Sequence, residues 1–298
     1  MRNLMIKKKI PSALLLVKIF IFTLCIFSLL QVAIGEASVE NKENESALLL
    51  QQISQIRNNN TKLKSENKNL QSGIIKKETS YKEKIDNTKI AYLTFDDGPS
   101  QNTLAILKIL KQYNIKATFF VNGQPKYESL YKQISDDGHT FGNHTYSHDY
   151  KKIYSSASNF KMDIKKLDIF LTAITGKKPN HILRFPGGSN NTISNNYGGI
   201  KTMDPIIEEM SKSDYTYFDW NVDSSDALIF RQKKDIIVRE VLTQSTEHKH
   251  PIILMHDLDP KTTTVQALPE IIKGLQNQGF VFDVLTKNTY SPQFKVVN

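Results

Sequence analysis

Residues 89–298 predict an α/β fold, a (β/α) barrel of about seven units. Short runs rich in β-branched and aromatic residues alternate with helical patterns of 10–15 residues, the signature of βα units and a parallel sheet. Strands are expected at 90–95, 116–121, 140–143, 182–185, 215–220, 251–255 and 280–284, and helices at 104–112, 126–136, 158–175, 203–212, 233–245 and 265–278. So many units in so short a stretch fit a barrel better than an open doubly wound sheet. No Gly-x-Gly-x-x-Gly comes after the first strand, which also counts against a dinucleotide-binding fold.

The segment before the barrel reads differently. Arg2, Lys7, Lys8 and Lys9 form a basic start, and 13–34 is nearly all apolar, broken by Lys18. A basic n-region before an apolar run is an export signal. Its length suffices to span a bilayer, with Lys18 snorkelling to the cytoplasmic side. The segment 1–37 is therefore expected to be a membrane-anchor helix, or a signal cleaved after Ala37; both export the rest of the chain. Cys25, the single cysteine, stands next to Leu24 and reads as an apolar membrane residue.

Residues 38–88 form a polar stalk without proline. Leu49, Ile56, Leu63 and Leu70 recur every seven residues, and Ile53, Asn60, Asn67 and Ile74 recur four residues later. These are d and a positions of a coiled coil, with Asn at a as a register device of parallel dimers. A homodimer through this stalk is the partner it implies. The asparagines at 58–60 are poor helix formers and argue for a flexible tether instead.

Composition excludes other classes. With 39% hydrophobic residues, 13 Gly and 10 Pro in 298, the chain is neither disordered nor collagen-like. One cysteine excludes a disulfide framework and a Cys-based zinc cluster. The net charge of +9 resides mostly in residues 1–89, which hold 15 Lys/Arg against 8 Asp/Glu. The barrel is nearly neutral and has no nucleic-acid reading motif, so no nucleic-acid partner is expected.

In parallel barrels chemistry sits at the strand ends. Five strand ends here carry ionisable groups: Asp96 and Asp97; His144 with His148; Arg184; Asp223 and Asp226; His256 and Asp257. His144 and His148, at i and i+4, would share one face of a helical turn as a two-His metal arm. One aspartate of the 96–97 pair can complete the ligand set, leaving the other beside activated water as a general base. Arg184 could hold that carboxylate ionised. His256, kept protonated by a neighbouring aspartate, would serve as an acid. Metal, base, cation and acid together describe hydrolysis of an acyl group.

These residues resemble the polysaccharide deacetylases, the NodB-homology or family 4 carbohydrate esterases. Thr94-Phe95-Asp96-Asp97-Gly98, His144-x-x-x-His148, Arg184-x-Pro186, the stretch at Asp226 and Leu254-x-His256 stand in that family's order across residues 88–286. The resemblance implies a distorted barrel and removal of acetyl groups from sugars with a divalent metal, usually zinc, with cobalt, nickel or iron as other candidates. It makes Asp96 the base; Asp97, His144 and His148 the metal ligands; Arg184 the residue orienting Asp96; and His256 the acid, held by Asp226. Leu254 would line the acetyl pocket beside Pro186, and the Gly187 N–H would hold the oxyanion.

Two departures concern substrate shape. Phe185-Pro186-Gly187 stands where the family often has Pro-Pro-aromatic, so an aromatic wall is missing. Ala227 comes after Asp226 where Trp is usual, and Trp220 upstream is the candidate to fill that space. Asp223 competes with Asp226 as partner of His256. Asp257 and Asp259 read as loop residues capping the next helix, and His139, His181, His248 and His250 as surface or loop. For an exported, tethered chain the expected substrate is N-acetylglucosamine of cell-wall peptidoglycan. Poly-N-acetylglucosamine, chitin oligomers, acetylated xylan and a catalytically silent wall-binding role are the alternatives.

Overall fold

The computed structural model describes residue 18 and residues 20–24 and 39–296. The chain forms two units that divide between Tyr81 and Lys82. The apolar run 13–34 and the cleavage point at Ala37 lie mostly outside the described residues. Among the described residues no helix is long and apolar enough to cross a membrane.

The stalk is one unbroken helix, α1 (Val39–Asn87). The asparagines at 58–60 do not interrupt it. Each costs at most about 0.7 kcal/mol against alanine, and no proline is present to remove a ladder bond. On this single helix Ile53, Ile56, Leu63, Leu70 and Ile74 are all solvent-exposed.

The second unit alternates strands and helices: β1 (Ile90–Asp96), α2 (Thr103–Gln112), β2 (Thr118–Val121), α3 (Glu128–Asp136), β3 (Thr140–Asn143), α4 (Tyr150–Ile153), α5 (Ala157–Thr175), β4 (Ile182–Leu183), α6 (Asn195–Gly198), α7 (Met203–Lys212), β5 (Thr216–Tyr217), β6 (Val222–Asp223), α8 (Lys234–Ser245), β7 (Ile252–His256), α9 (Thr262–Asn277) and β8 (Val281–Phe282). All ladders are parallel, in the order β5-β4-β3-β2-β1-β7-β6, with β8 on the first two residues of β1.

The sheet curls without closing. Among the described residues no ladder joins β5 to β6. The backbone between them bonds elsewhere: Phe218 N–H donates to Leu183 O at 2.9 Å, Asn221 N–H to Ile252 O at 3.3 Å, and Asp219 N–H to Pro292 O at 3.1 Å. This is why the strand expected at 215–220 shortens to two residues and a separate β6 comes after it.

Side-chain alternation on β1 sorts two cores. Ala91, Leu93 and Phe95 join Phe119, Ile253 and Met255 in a cluster packed under α2, α8 and α9. Ile90 and Tyr92 point to the concave face with Phe120, Ile252 and Leu285. The same phase carries Thr94 and Asp96 to the concave side at the C-terminal end of β1. A third cluster joins β4 to α4, α5 and α7 through Tyr154, Phe160, Phe185 and Met210. Helix α5 starts on Ser156, whose hydroxyl accepts from Asn159 N–H, and stops at Gly176, whose positive φ of 68° suits the left-handed cap.

Candidate active site and metal centre

Parallel pairing of β1 with β7 sets Asp96 directly opposite His256, and Thr94 opposite Leu254. The strand ends at Asp96, and Asp97 takes a left-handed conformation, φ 75°. That turn sends neighbouring carboxylates in different directions.

Asp97 Oδ1 lies 3.5 Å from His144 Nε2 and 3.2 Å from His148 Nε2. It is buried and accepts no hydrogen bond. His144 Nδ1 lies 2.8 Å from Arg184 O. A carbonyl can only accept, so Nδ1 carries the proton and the Nε2 lone pair faces Asp97. Burial drives the His144 pKa down to about 3, keeping the ring neutral. An orphaned carboxylate oxygen facing two imidazole nitrogens, one a neutral acceptor, fits a divalent cation, and these three are the residues that could hold one.

The two-His arm is not a helical turn. Residues 144–148 form a loop in which Thr145 (φ 68°) and His148 (φ 49°) are left-handed. Four side chains hold this shape. Asn122 Nδ2 donates to His144 O and Thr145 O, and Asn143 Oδ1 accepts from Thr145 N–H. Tyr146 lays its ring over Gly123, where a β-carbon would sit 2.3 Å from it. Asp163 of α5 accepts from Ser147 N–H at 2.7 Å, Ser147 Oγ at 3.0 Å and Lys152 Nζ at 2.8 Å. Asp163 is absent from the residues singled out by sequence. Its one local signal is that of a lone carboxylate on the apolar stripe Phe160, Ile164, Leu167 and Leu171.

Arg184 joins the arm to the other aspartate. Fully buried, it donates from Nη1 to Asp96 Oδ1 and Thr94 Oγ1, both at 2.8 Å, from Nε to Phe218 O and from Nη2 to Asp219 O. Its guanidinium also stacks 4.3 Å over Phe120. Burial pushes the Asp96 carboxyl up from the usual range while Arg184 and His256 pull it down. The result is a carboxylate more basic than one in water.

His256 Nδ1 lies 2.7 Å from Asp226 Oδ1, and the His256 backbone N–H donates to Asp226 Oδ2 at 2.9 Å. Thr264 Oγ1 also donates to Asp226 Oδ2, and Lys261 Nζ to Asp226 O. Burial opposes a charge on His256, but the Asp226 hydrogen bond and the nearby carboxylates outweigh it and raise the pKa to about 9. Asp223, the rival partner, instead accepts from Ser225 N–H.

Pro186 is buried, and its carbonyl accepts from Tyr154 Oη at 2.7 Å. Gly187 is exposed at φ 80°. Leu254 is buried on the concave face. Trp220 stands half-buried, edge-on to Phe294 of the C-terminal segment at 4.9 Å, and touches the Gly188 position. Asp219 ties this wall together by accepting from Ser189 N–H and Phe294 N–H, each at 2.8 Å.

Two expectations need correction. Asp257 is fully buried and accepts from Ser100 Oγ and Thr103 Oγ1, both at 2.6 Å, while Asp259 accepts from Gln101 N–H. They brace the loop after Asp97 rather than capping α9. Burial pushes the Asp257 pKa up to about 6. His139 is buried too, and its Nδ1 accepts from Ala117 N–H at 3.1 Å. Both corrections have one cause: contacts more than 20 residues apart in sequence leave no local pattern.

Aspartate and histidine thus meet at the C-terminal strand ends of a curled parallel sheet, where parallel barrels carry their chemistry. Residues 83–220 match the polysaccharide deacetylase family. The peptidoglycan-N-acetylglucosamine deacetylase of Bacillus cereus is 34% identical over 212 residues, 68% of this chain and 72% of that protein. The peptidoglycan-N-acetylmuramic acid deacetylase PdaA of Bacillus subtilis is 30% identical over 201 residues, 65% of this chain and 69% of that protein. The crystal structure of the catalytic domain of peptidoglycan N-acetylglucosamine deacetylase from Eubacterium rectale superposes with a TM-score of 0.67 and 36% identity, covering 71% of this chain and 95% of that one. The chain belongs to the polysaccharide deacetylase family.

Proposed function

We propose that the protein removes the N-acetyl group from N-acetylglucosamine in cell-wall peptidoglycan. The observation that carries this reading is the pairing of Asp96 with His256 across β1 and β7, with Asp96 immediately before the carboxylate that His144 and His148 face. A base and an acid then flank one reacting centre.

A divalent ion held by Asp97, His144 and His148, most naturally zinc, would supply Lewis acidity toward water and the acyl oxygen. Asp96 takes the proton from the attacking water. Arg184 keeps Asp96 Oδ1 fixed, so the other oxygen receives that proton. Gly187 N–H donates to the developing oxyanion. His256, protonated through Asp226, delivers a proton to the departing sugar amine. Leu254 receives the acetyl methyl, and Pro186 and Trp220 border the sugar. Relatives of this fold act on wall glycan, and a basic amino-terminal run suits export to it. The heptad face of α1 would pair in parallel with a second copy.

The test is acetate release by the full chain from purified peptidoglycan, N-acetylglucosamine oligomers and acetylated xylan, with and without chelator. Chelator-sensitive release from peptidoglycan that Asp96→Asn loses supports the reading. Preference for another polymer replaces the substrate. No release from any of them, with one metal bound per chain, overturns the reading in favour of a silent binder or an esterase of another acetylated sugar.

A further inference from the structure

Gly187 raises a question of space. A β-carbon built on it would stand 2.8 Å from the hydroxyl oxygen of Tyr150 and 3.3 Å from Asn191 Cβ. The place where a side chain of residue 187 would start is thus taken by a phenol from another element. Tyr150 is the first residue of α4, two residues beyond His148. Its ring meets His148 edge-on at 5.6 Å and Tyr154 at 5.3 Å. The Asp149 side chain caps this turn by accepting from Lys151 N–H and Lys152 N–H, so the ring is held by the arm that carries both histidines.

The hydroxyls of this aromatic group differ in use. Tyr154 Oη donates to Pro186 O, and Tyr131 Oη to Asn122 O. Tyr150 Oη donates to no group among the described residues, although the residue is half-buried. Gly187 N–H likewise finds no acceptor among them. The Tyr150 hydroxyl therefore stands beside the Gly187 backbone, on a ring that packs against His148 of the Asp97–His144–His148 cluster. A half-buried donor left unpaired costs stability unless something else accepts from it. An anionic oxygen takes two such donors well.

We propose that Tyr150 is a second donor to the acyl oxygen of the substrate, its hydroxyl acting beside the Gly187 N–H. The inference rests on the deacetylase reading above. It also accounts for the missing aromatic wall at residue 187: here the aromatic ring comes from the metal arm, and glycine at 187 leaves room for it.

The experiment measures steady-state acetate release from N-acetylglucosamine oligomers by the zinc-loaded wild type and Tyr150→Phe. It also measures oligomer binding by calorimetry in an Asp96→Asn background, with and without Tyr150→Phe. The phenylalanine keeps the ring contacts, so the melting temperature should stay unchanged. Because the bond strengthens as charge develops, kcat should fall by about tenfold or more. KM and the calorimetric affinity should stay within about threefold. Tyr154→Phe serves as the structural comparison: it removes a hydroxyl that holds Pro186 and should lower the melting temperature. Unchanged kcat in Tyr150→Phe, or a loss confined to KM and binding, overturns the inference while leaving the function intact. A wild type that releases no acetate overturns both.

Discussion

Arg184 and Asp96 form an ion pair sealed from solvent, Nη1 to Oδ1 at 2.8 Å, and the same arginine's carbonyl oxygen accepts from His144 Nδ1. One residue just beyond β4 thus fixes the Asp96 carboxylate and sets the tautomer of His144. Removing one member of a buried pair leaves the other charge uncompensated, which costs about 3–5 kcal/mol. Arg184→Met should therefore lower stability by that order and abolish acetate release. Asp96→Asn keeps an acceptor oxygen for Arg184 but leaves the guanidinium charge uncompensated, so it should abolish release and also lower stability, by less than Arg184→Met. Paired denaturation and activity assays separate the two. Acetate release retained by a folded Asp96→Asn would remove Asp96 from the role of base.

The free Asp97 oxygen predicts how the fold responds to metal. Adding zinc to chelator-stripped protein should raise the melting temperature, by a stabilisation of about 4 kcal/mol when the metal is at a thousandfold its dissociation constant. Asp97→Ala and His144→Ala should each remove that rise. A rise that survives Asp97→Ala would place the ion elsewhere.

Asp163 touches neither histidine ring, yet it anchors the loop between them through Ser147 and Lys152. Partners behind the ligands commonly affect metal affinity by about 10–100-fold. Asp163→Ala should weaken zinc binding by about tenfold, read by competition with a chromophoric chelator. Asp163→Asn retains an acceptor for Ser147 N–H and should lose less. Unchanged affinity in the alanine variant would make the residue a fold anchor only.

The His256–Asp226 pair predicts a pH dependence. The folded pKa of His256, about 9, lies above its unfolded value of about 6.5. The pair's stabilisation is then fully present below pH ~6.5 and is lost as pH rises through about 9. Denaturant titrations of the metal-free protein from about pH 6 to 9.5 should show this decline. Asp226→Asn removes what raises the pKa, so burial should dominate and the decline should vanish. A wild-type slope that persists in Asp226→Asn would assign it to other groups.

Much of this molecule could be read along the chain. Strand and helix alternation, the heptads of α1, and the order Asp96-Asp97, His144, His148, Arg184, His256 are local patterns, set by side-chain periodicity and residue chemistry. Other features depended on the fold. Residues 144–148 look helical by spacing, but Asn122, Asn143 and Asp163 hold them in a left-handed loop. The Asp219 N–H goes to Pro292, from the far end of the chain, and among the described residues no ladder joins β5 to β6. Asp226, rather than Asp223, meets His256, and Tyr150 reaches the Gly187 position. Each rests on a contact between residues far apart in sequence or on a turn that re-aims a side chain. Periodicity tells which face a residue occupies; only packing in three dimensions determines which partner it finds there.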